Sequence, residues 1–171
     1  MNKVFFDLEW NTGFLDGNSF DEIIEIGAVK TDEEYRQIDG FRRLIRPVIY
    51  RKMNPYIQKI LAITMKDLQG EEPLASVAKA FFDWCGDCDT LIAWSGNDFG
   101  VLEKNLAHIG MKIPEQLGRY DVQMAYAYRT ENSIRNYALK AAVEAMELPE
   151  PEGQEYHDAY CDAQFTAAIG R

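Results

Sequence analysis

Cysteine and histidine are scarce in this chain, with three and two respectively among 171 residues. An odd, sparse set of thiols excludes a disulfide-stapled secreted scaffold and fits a reducing compartment. Long hydrophobic runs are missing altogether: none approaches the roughly 18 residues that a bilayer-spanning helix needs. The opening MNKVFFDLEW places Asp7 and Glu9 where a signal peptide needs an unbroken apolar stretch. The expectation is a soluble, cytoplasmic protein with no membrane partner. Positive charge is also short, with 18 Lys and Arg against 28 Asp and Glu for a net charge of −10. That balance excludes a generic coat for DNA or RNA. No Pro/Gly/Ser linker, internal repeat or low-complexity tract divides the chain, so residues 1–171 are expected to form a single domain. The 47% hydrophobic and 12% aromatic content is enough for one sizeable core.

What is present is unevenly placed. Residues 30–66 hold Lys30, Arg36, Arg42, Arg43, Arg46, Arg51, Lys52, Lys59 and Lys66 against four acids. This stretch is either a solvated face or a basic flank that receives a polyanion. The segments VFFDLEW, EIIEIGAVKT and FRRLIRP are rich in β-branched and aromatic residues and bounded by Gly, Asp and Pro, which predicts three antiparallel strands. Leu74, Val77, Ala78, Phe81 and Cys85 then fall at helical spacing, TLIAW at 90–94 is a short buried-strand run, and Phe99, Leu102, Leu106 and Ile109 are helical again up to Gly110. Ser133 is a fair N-cap for a helix over 134–147, ELPEPEGQE at 147–155 is expected to be a mobile loop, and Asp158 to Ile169 predicts a last helix. That helical pattern is still running near Arg171, so the natural chain is expected to extend further. The order βββαβα followed by helices predicts an α/β domain with a mixed sheet.

Five residues stand out for chemistry. Asp7 and Glu9 are two apart in an apolar strand, so their carboxylates share one face. Such a pair is costly to bury unless cations neutralise it, and oxygen-only ligands favour Mg²⁺ or Mn²⁺ over zinc. The alternative is an exposed sheet edge. Asp98 falls at a strand-to-helix junction, where a sheet's carboxyl edge gathers functional groups; its plainer role is a helix N-cap. In HDAYCD at 157–162, His157 and Asp162 are five residues apart, which is about 140° on a helix. They would not share a face, so His157 is expected in a loop or first turn and Asp162 on the helix, with Asp158 as the N-cap between them.

Asp7-x-Glu9, Asp98 and His157-x4-Asp162, in this order, resemble the DEDDh branch of the 3′–5′ exonucleases, the family of polymerase proofreading subunits, RNase T and oligoribonuclease. The likeness covers nearly the whole chain: FFDLEWNTG resembles the first motif, IIEIGAVK the second strand, ILAIT and its following capped turn the middle, and HDAYCDA the third motif. Position 158 is Asp, which disfavours the sister branch with Tyr-x3-Asp. Trp10-Asn11-Thr12 stand where the family often has two threonines. AWSGNDFGVL is closer to the tryptophan-glycine variant of sporulation-inhibitor-like and RNA-interference-regulating exonucleases, which tilts the substrate toward RNA. The resemblance implies a ribonuclease H-like three-layer fold with a mixed five-stranded sheet flanked by helices. It implies two divalent ions, Mg²⁺ or Mn²⁺, held by Asp7, Glu9, Asp98 and Asp162, with His157 as general base. It also implies contacts from Trp10, Asn11 and Thr12 to the terminal nucleotide of RNA or single-stranded DNA, and nucleoside monophosphates as products. A binding module that keeps the fold without turnover is the competing class, and an endonuclease on the same fold a third. Protein partners are not legible, and a homo-oligomer is compatible with the pattern.

Other features read as decoys. Trp84-Cys85-Gly86-Asp87-Cys88 has the letters of a redox site, but its cysteines close a helix instead of opening one, so they lack the positive helix end that activates a thiol. A zinc site from Cys85, Cys88, His157 and Cys161 would consume the histidine. His108 and Asp121 are expected to be structural. Met124, Tyr126, Tyr128 and Tyr137 are expected to fill core and surface, and Glu25 to be paired within the sheet.

Overall fold

In the computed structural model, which describes residues 2–131, 136–149 and 158–171, the apolar runs assemble one five-stranded sheet. β1 (Lys3–Leu15) and β2 (Asn18–Thr31) form an antiparallel hairpin, and β3 (Gln37–Leu44) continues it antiparallel to β2. On the other side of β1, β4 (Thr90–Ala93) and β5 (Gly118–Asp121) run parallel to it, giving the order β3-β2-β1-β4-β5. The helices among the described residues are α1 (Ile57–Ile60), α2 (Met65–Leu68), α3 (Leu74–Cys85), α4 (Gly96–His108), α5 (Val122–Glu131), α6 (Leu139–Ala145) and α7 (Ala159–Ile169).

The hairpin is longer than the strand pattern predicted. Asp16 (φ 51°) and Gly17 (φ 81°) form a two-residue turn in which both residues are left-handed, the geometry whose twist matches the flanking strands, and Leu15 pairs with Asn18 across it. The Asp-Gly dipeptide carried that signal. β3 starts before the expected FRRLIRP and stops at Leu44. Proline at 47 has no N–H for a ladder, and Arg46 bridges Pro73 instead.

Alternation gives β1 two different faces. Val4, Phe6 and Leu8 pack with Phe81 of α3 and Leu102 and Leu106 of α4. Phe5, with Val29 and Ile92, packs on the opposite side against Val143 of α6 and Cys161, Phe165 and Ile169 of α7. Helices therefore cover both faces in three layers. Phe5, Phe6 and Phe81 are fully buried, and each such side chain contributes about 1.5–3 kcal/mol by leaving water. A third cluster of Ile24, Met53, Leu61 and Leu68 folds the segment around α1 and α2 onto β2. The expected capped turn after ILAIT is formed by Thr64, whose Oγ1 donates to Asp67 Oδ2 at 2.6 Å.

Closeness of α7 to the sheet depends on Gly27. A Cβ at this position would stand 2.1 Å from the backbone nitrogen of Tyr160. The helix expected over 134–147 is shorter, as α6, and Ser133 lies outside the described residues, as does most of the loop expected at 147–155. Among the described residues no helix is long and apolar enough to cross a membrane.

Candidate active site

Asp7 and Glu9 follow Phe5 in the alternation of β1, so both reach the face covered by α7, just past the apolar core. The helix supplies Asp162 in its first turn. Carboxylate oxygens of Asp7, Glu9 and Asp162 lie within 4.8 Å of one another. Asp98 arrives from the third direction. Because β4 runs parallel to β1, the carboxyl ends of the two strands are neighbours, and the turn after β4 opens α4 beside the pair. Ser95, in extended conformation, is the N-cap of α4; Asp98 is three residues on, and its Oδ2 accepts the Ser95 hydroxyl at 3.1 Å. Asp98 is thus an acid of the first turn, where the helix dipole favours it. All four carboxylates line one cleft of about 290 Å³, walled by Trp10, Trp94, Ile57, Ile60 and Leu61.

Their electrostatics are those of a crowded, buried acidic cluster. Burial, then the charges of Asp98, Asp162 and Glu9, push the Asp7 carboxyl well above the usual carboxylate range. Burial, followed by Asp162 and Glu25, pushes Glu9 up to about 8. Asp98 rises to about 6 through burial, partly opposed by its hydrogen bonds from Ser95 and the Leu8 backbone N–H. Asp7, Glu9, Asp98 and Asp162 converge where burial disfavours the charge of Asp7, Glu9 and Asp98, and the neighbouring acids add to it at Asp7 and Glu9. Oxygen-only donors, anionic and crowded, fit a hard divalent cation, which would remove both penalties at once.

Other predicted residues divide clearly. Trp10 lines the cleft. Asn11 is fully buried, with Nδ2 donating to Lys52 O at 3.0 Å and Oδ1 accepting from Asn54 N at 2.8 Å. Its side chain holds the segment that walls the cleft. Thr12 Oγ1 donates to Asp21 Oδ1 at 2.7 Å. His157 lies outside the described residues. Asp158 caps α7, its Oδ1 accepting from Cys161 N at 3.1 Å.

Glu25, fully buried on β2, has the partner that sequence could not assign: Arg42 Nε donates to its Oε1 at 2.8 Å. Glu22 is a buried acid that sequence reasoning passed over; its carboxylate accepts backbone N–H groups from Val48, Ile49 and Tyr50 at 2.6–2.9 Å and so anchors the loop after β3. His108 is exposed against Phe20, and Asp121 Oδ1 accepts from Met124 N at the start of α5. Cys85, Cys88 and Cys161 are buried free thiols, and burial pushes Cys85 up to about 12, the reverse of an activated nucleophile.

The family model described as Exonuclease, of the RNase T type, matches residues 4–169. The chain belongs to the RNase T exonuclease family. This exonuclease domain is 29% identical over 169 residues to a PolC-type DNA polymerase III from Clostridium perfringens. That match takes in 97% of the chain but 11% of the polymerase, so the domain spans about a tenth of that relative's length. Among solved structures, it resembles the nuclease domain of 3′hExo, a DEDDh family member, solved bound to rAMP. The TM-score is 0.80 at 18% identity, over 98% of this chain and 88% of that one. Escherichia coli Exonuclease I, solved with a dT13 oligonucleotide, gives a TM-score of 0.75 at 17% identity, over 98% of this chain and 40% of that one. The fold is the ribonuclease H-like one of these nucleases, and the chain carries an exonuclease domain.

Proposed function

We propose that this exonuclease domain hydrolyses the terminal phosphodiester bond at the 3′ end of RNA or single-stranded DNA and releases nucleoside monophosphates. Asp7, Glu9, Asp98 and Asp162 would hold two divalent ions, Mg²⁺ or Mn²⁺. The observation that supports this most is the meeting of carboxylates from β1, α4 and α7 in one cleft, with Asp7, Glu9 and Asp98 pushed above the usual carboxylate range by burial. Bound there, such ions lower the pKa of an attacking water and steady the charge of the transition state.

The protein's own groups do the rest. Asp7 and Glu9 are fixed by the ladder to β2, and Asp162 by its helix, so the ligand set is preorganised. His157 would take the proton from water, a task suited to an imidazole, whose unperturbed pKa is near 6.5, and a contribution of roughly 10²–10⁴ in rate. Trp10 offers a sequence-tolerant stacking face to the terminal base. Asn11 acts on the same nucleotide only through the wall it supports, and Thr12 through its bond to Asp21. Exposed Arg51, Lys52 and Lys59, on the segment that walls the cleft, supply the positive charge that meets the backbone. The nucleotide ligands of 3′hExo and Exonuclease I support an RNA or single-stranded DNA end. Three buried free thiols support a cytoplasmic setting.

The test is Mg²⁺- or Mn²⁺-dependent shortening of 5′-labelled RNA and DNA oligonucleotides, beside Asp7→Ala and His157→Ala. Stepwise shortening by the wild type, lost in both variants, is expected. A gel shift without shortening would favour the binding-module alternative, and cleavage of circular substrates an endonuclease.

A further inference from the structure

Asp162 is the ligand that α7 carries, so its distance from Asp7 and Glu9 depends on where that helix rests along the sheet. Apolar packing presses the helix down but does not by itself fix its position lengthwise. Directional contacts do: Gln37 of β3 donates to the Tyr160 hydroxyl and accepts from Gln164 Nε2 farther along α7, and Arg42 ties down the head of the helix. Arg42 of β3 stands opposite Gly27 of β2, where no side chain blocks it. Its Nε donates to Glu25 Oε1 at 2.8 Å and its Nη2 meets Asp158 Oδ2 at 2.5 Å. Glu25 is fully buried in the sheet, directly across the ladder from Glu9. Asp158 is the N-cap of α7, and its backbone oxygen accepts the N–H of Asp162 at 2.9 Å.

We propose that Arg42 is a positioning residue for the ion site: by bridging Glu25 of β2 to Asp158 at the head of α7, it sets the register of the helix and so brings Asp162 within reach of Asp7 and Glu9. This rests on the carboxylate cluster being an ion site, as proposed above. The bridge needs two nitrogens pointing in different directions, which a guanidinium has and an ammonium lacks. It also gives Glu25 a counter-charge, so that this fifth acid is not left bare behind Glu9.

Mn²⁺ binding to the full chain, read by electron paramagnetic resonance of the free ion, tests the proposal beside urea unfolding in chelator. Arg42→Lys keeps the charge but not the two-way bridge, and Asp158→Asn keeps a competent N-cap but removes the ionic partner. Both should fold, and both should bind Mn²⁺ about 10–100-fold more weakly, the range for outer partners of metal ligands. A role confined to stability would lower the urea midpoint and leave Mn²⁺ affinity alone. Wild-type affinity in both variants would overturn the proposal. No Mn²⁺ uptake by the wild type would instead overturn the ion-site reading beneath it.

Discussion

Glu25 stands directly across from Glu9 in the β1–β2 ladder, two acids in one cross-strand pair. Like charges so placed oppose strand pairing. Arg42 relieves Glu25, while Glu9 is pushed up to about 8 by burial and by Asp162 and Glu25.

The first prediction follows from that proton. Glu9 has an ordinary value near 4.5 and a folded value of about 8, so between these limits the folded state binds more protons than the unfolded one. Its contribution to stability is full below about 4.5 and is lost as pH rises through 8. In chelator, Glu9→Gln should melt with the wild type near pH 4.5 and above it at pH 8. The expected gap is at least about 2–4 °C, the shift that 1 kcal/mol gives in a domain of this size. Differential scanning fluorimetry reads it, and a less stable Glu9→Gln at pH 8 would contradict it.

Asn11 and Trp10 should separate in their effects. Asn11→Ala leaves Lys52 O and Asn54 N without their buried partner, at a cost of about 1–3 kcal/mol in urea unfolding. Trp10→Ala should weaken oligonucleotide binding by about 1–3 kcal/mol, the range for a base stacked on an aromatic ring. Fluorescence anisotropy beside unfolding curves checks both.

Gly27→Ala should lift α7. The added Cβ meets backbone atoms of Ala159 and Tyr160 at 2.1–2.5 Å, which cannot swing aside as a side-chain tip would. A loss of at least about 1–3 kcal/mol is expected, with weaker Mn²⁺ binding alongside. Unchanged unfolding would show that the helix floats on the sheet.

Much of this site was legible because its placement follows from local rules. Period-two alternation puts Asp7 and Glu9 on one face, a strand-to-helix junction brings Asp98 to the sheet's carboxyl edge, and Asp158 caps the helix that carries Asp162. Features that depend on register between distant segments were not. Arg42 reaches Glu25 only because β3 pairs with β2 in one register, which the turn containing Tyr35 at φ 62° sets. Asn11 shares the alternation of Asp7 and Glu9, yet Lys52 and Asn54 fold over it from more than 40 residues away. β5 is four mostly exposed residues, GRYD, and has no apolar pattern to read.

Salt should matter only modestly. Arg51, Lys52 and Lys59 flank the cleft of a chain with net charge −10. Three phosphate contacts on a single strand give a slope of about −2 in log affinity against log salt. Binding to a catalytically dead Asp7→Asn variant over a salt series measures it, and a slope several times steeper would mean a long basic track instead of a grip on an end.

The most direct measurement is the product released from a 3′-terminally labelled oligonucleotide, resolved by chromatography with and without chelator. Labelled nucleoside 5′-monophosphate should appear from the first turnover, vanish with chelator, and be absent with Asp162→Asn. Labelled internal fragments, a 3′-monophosphate, or undiminished release in chelator would contradict the account.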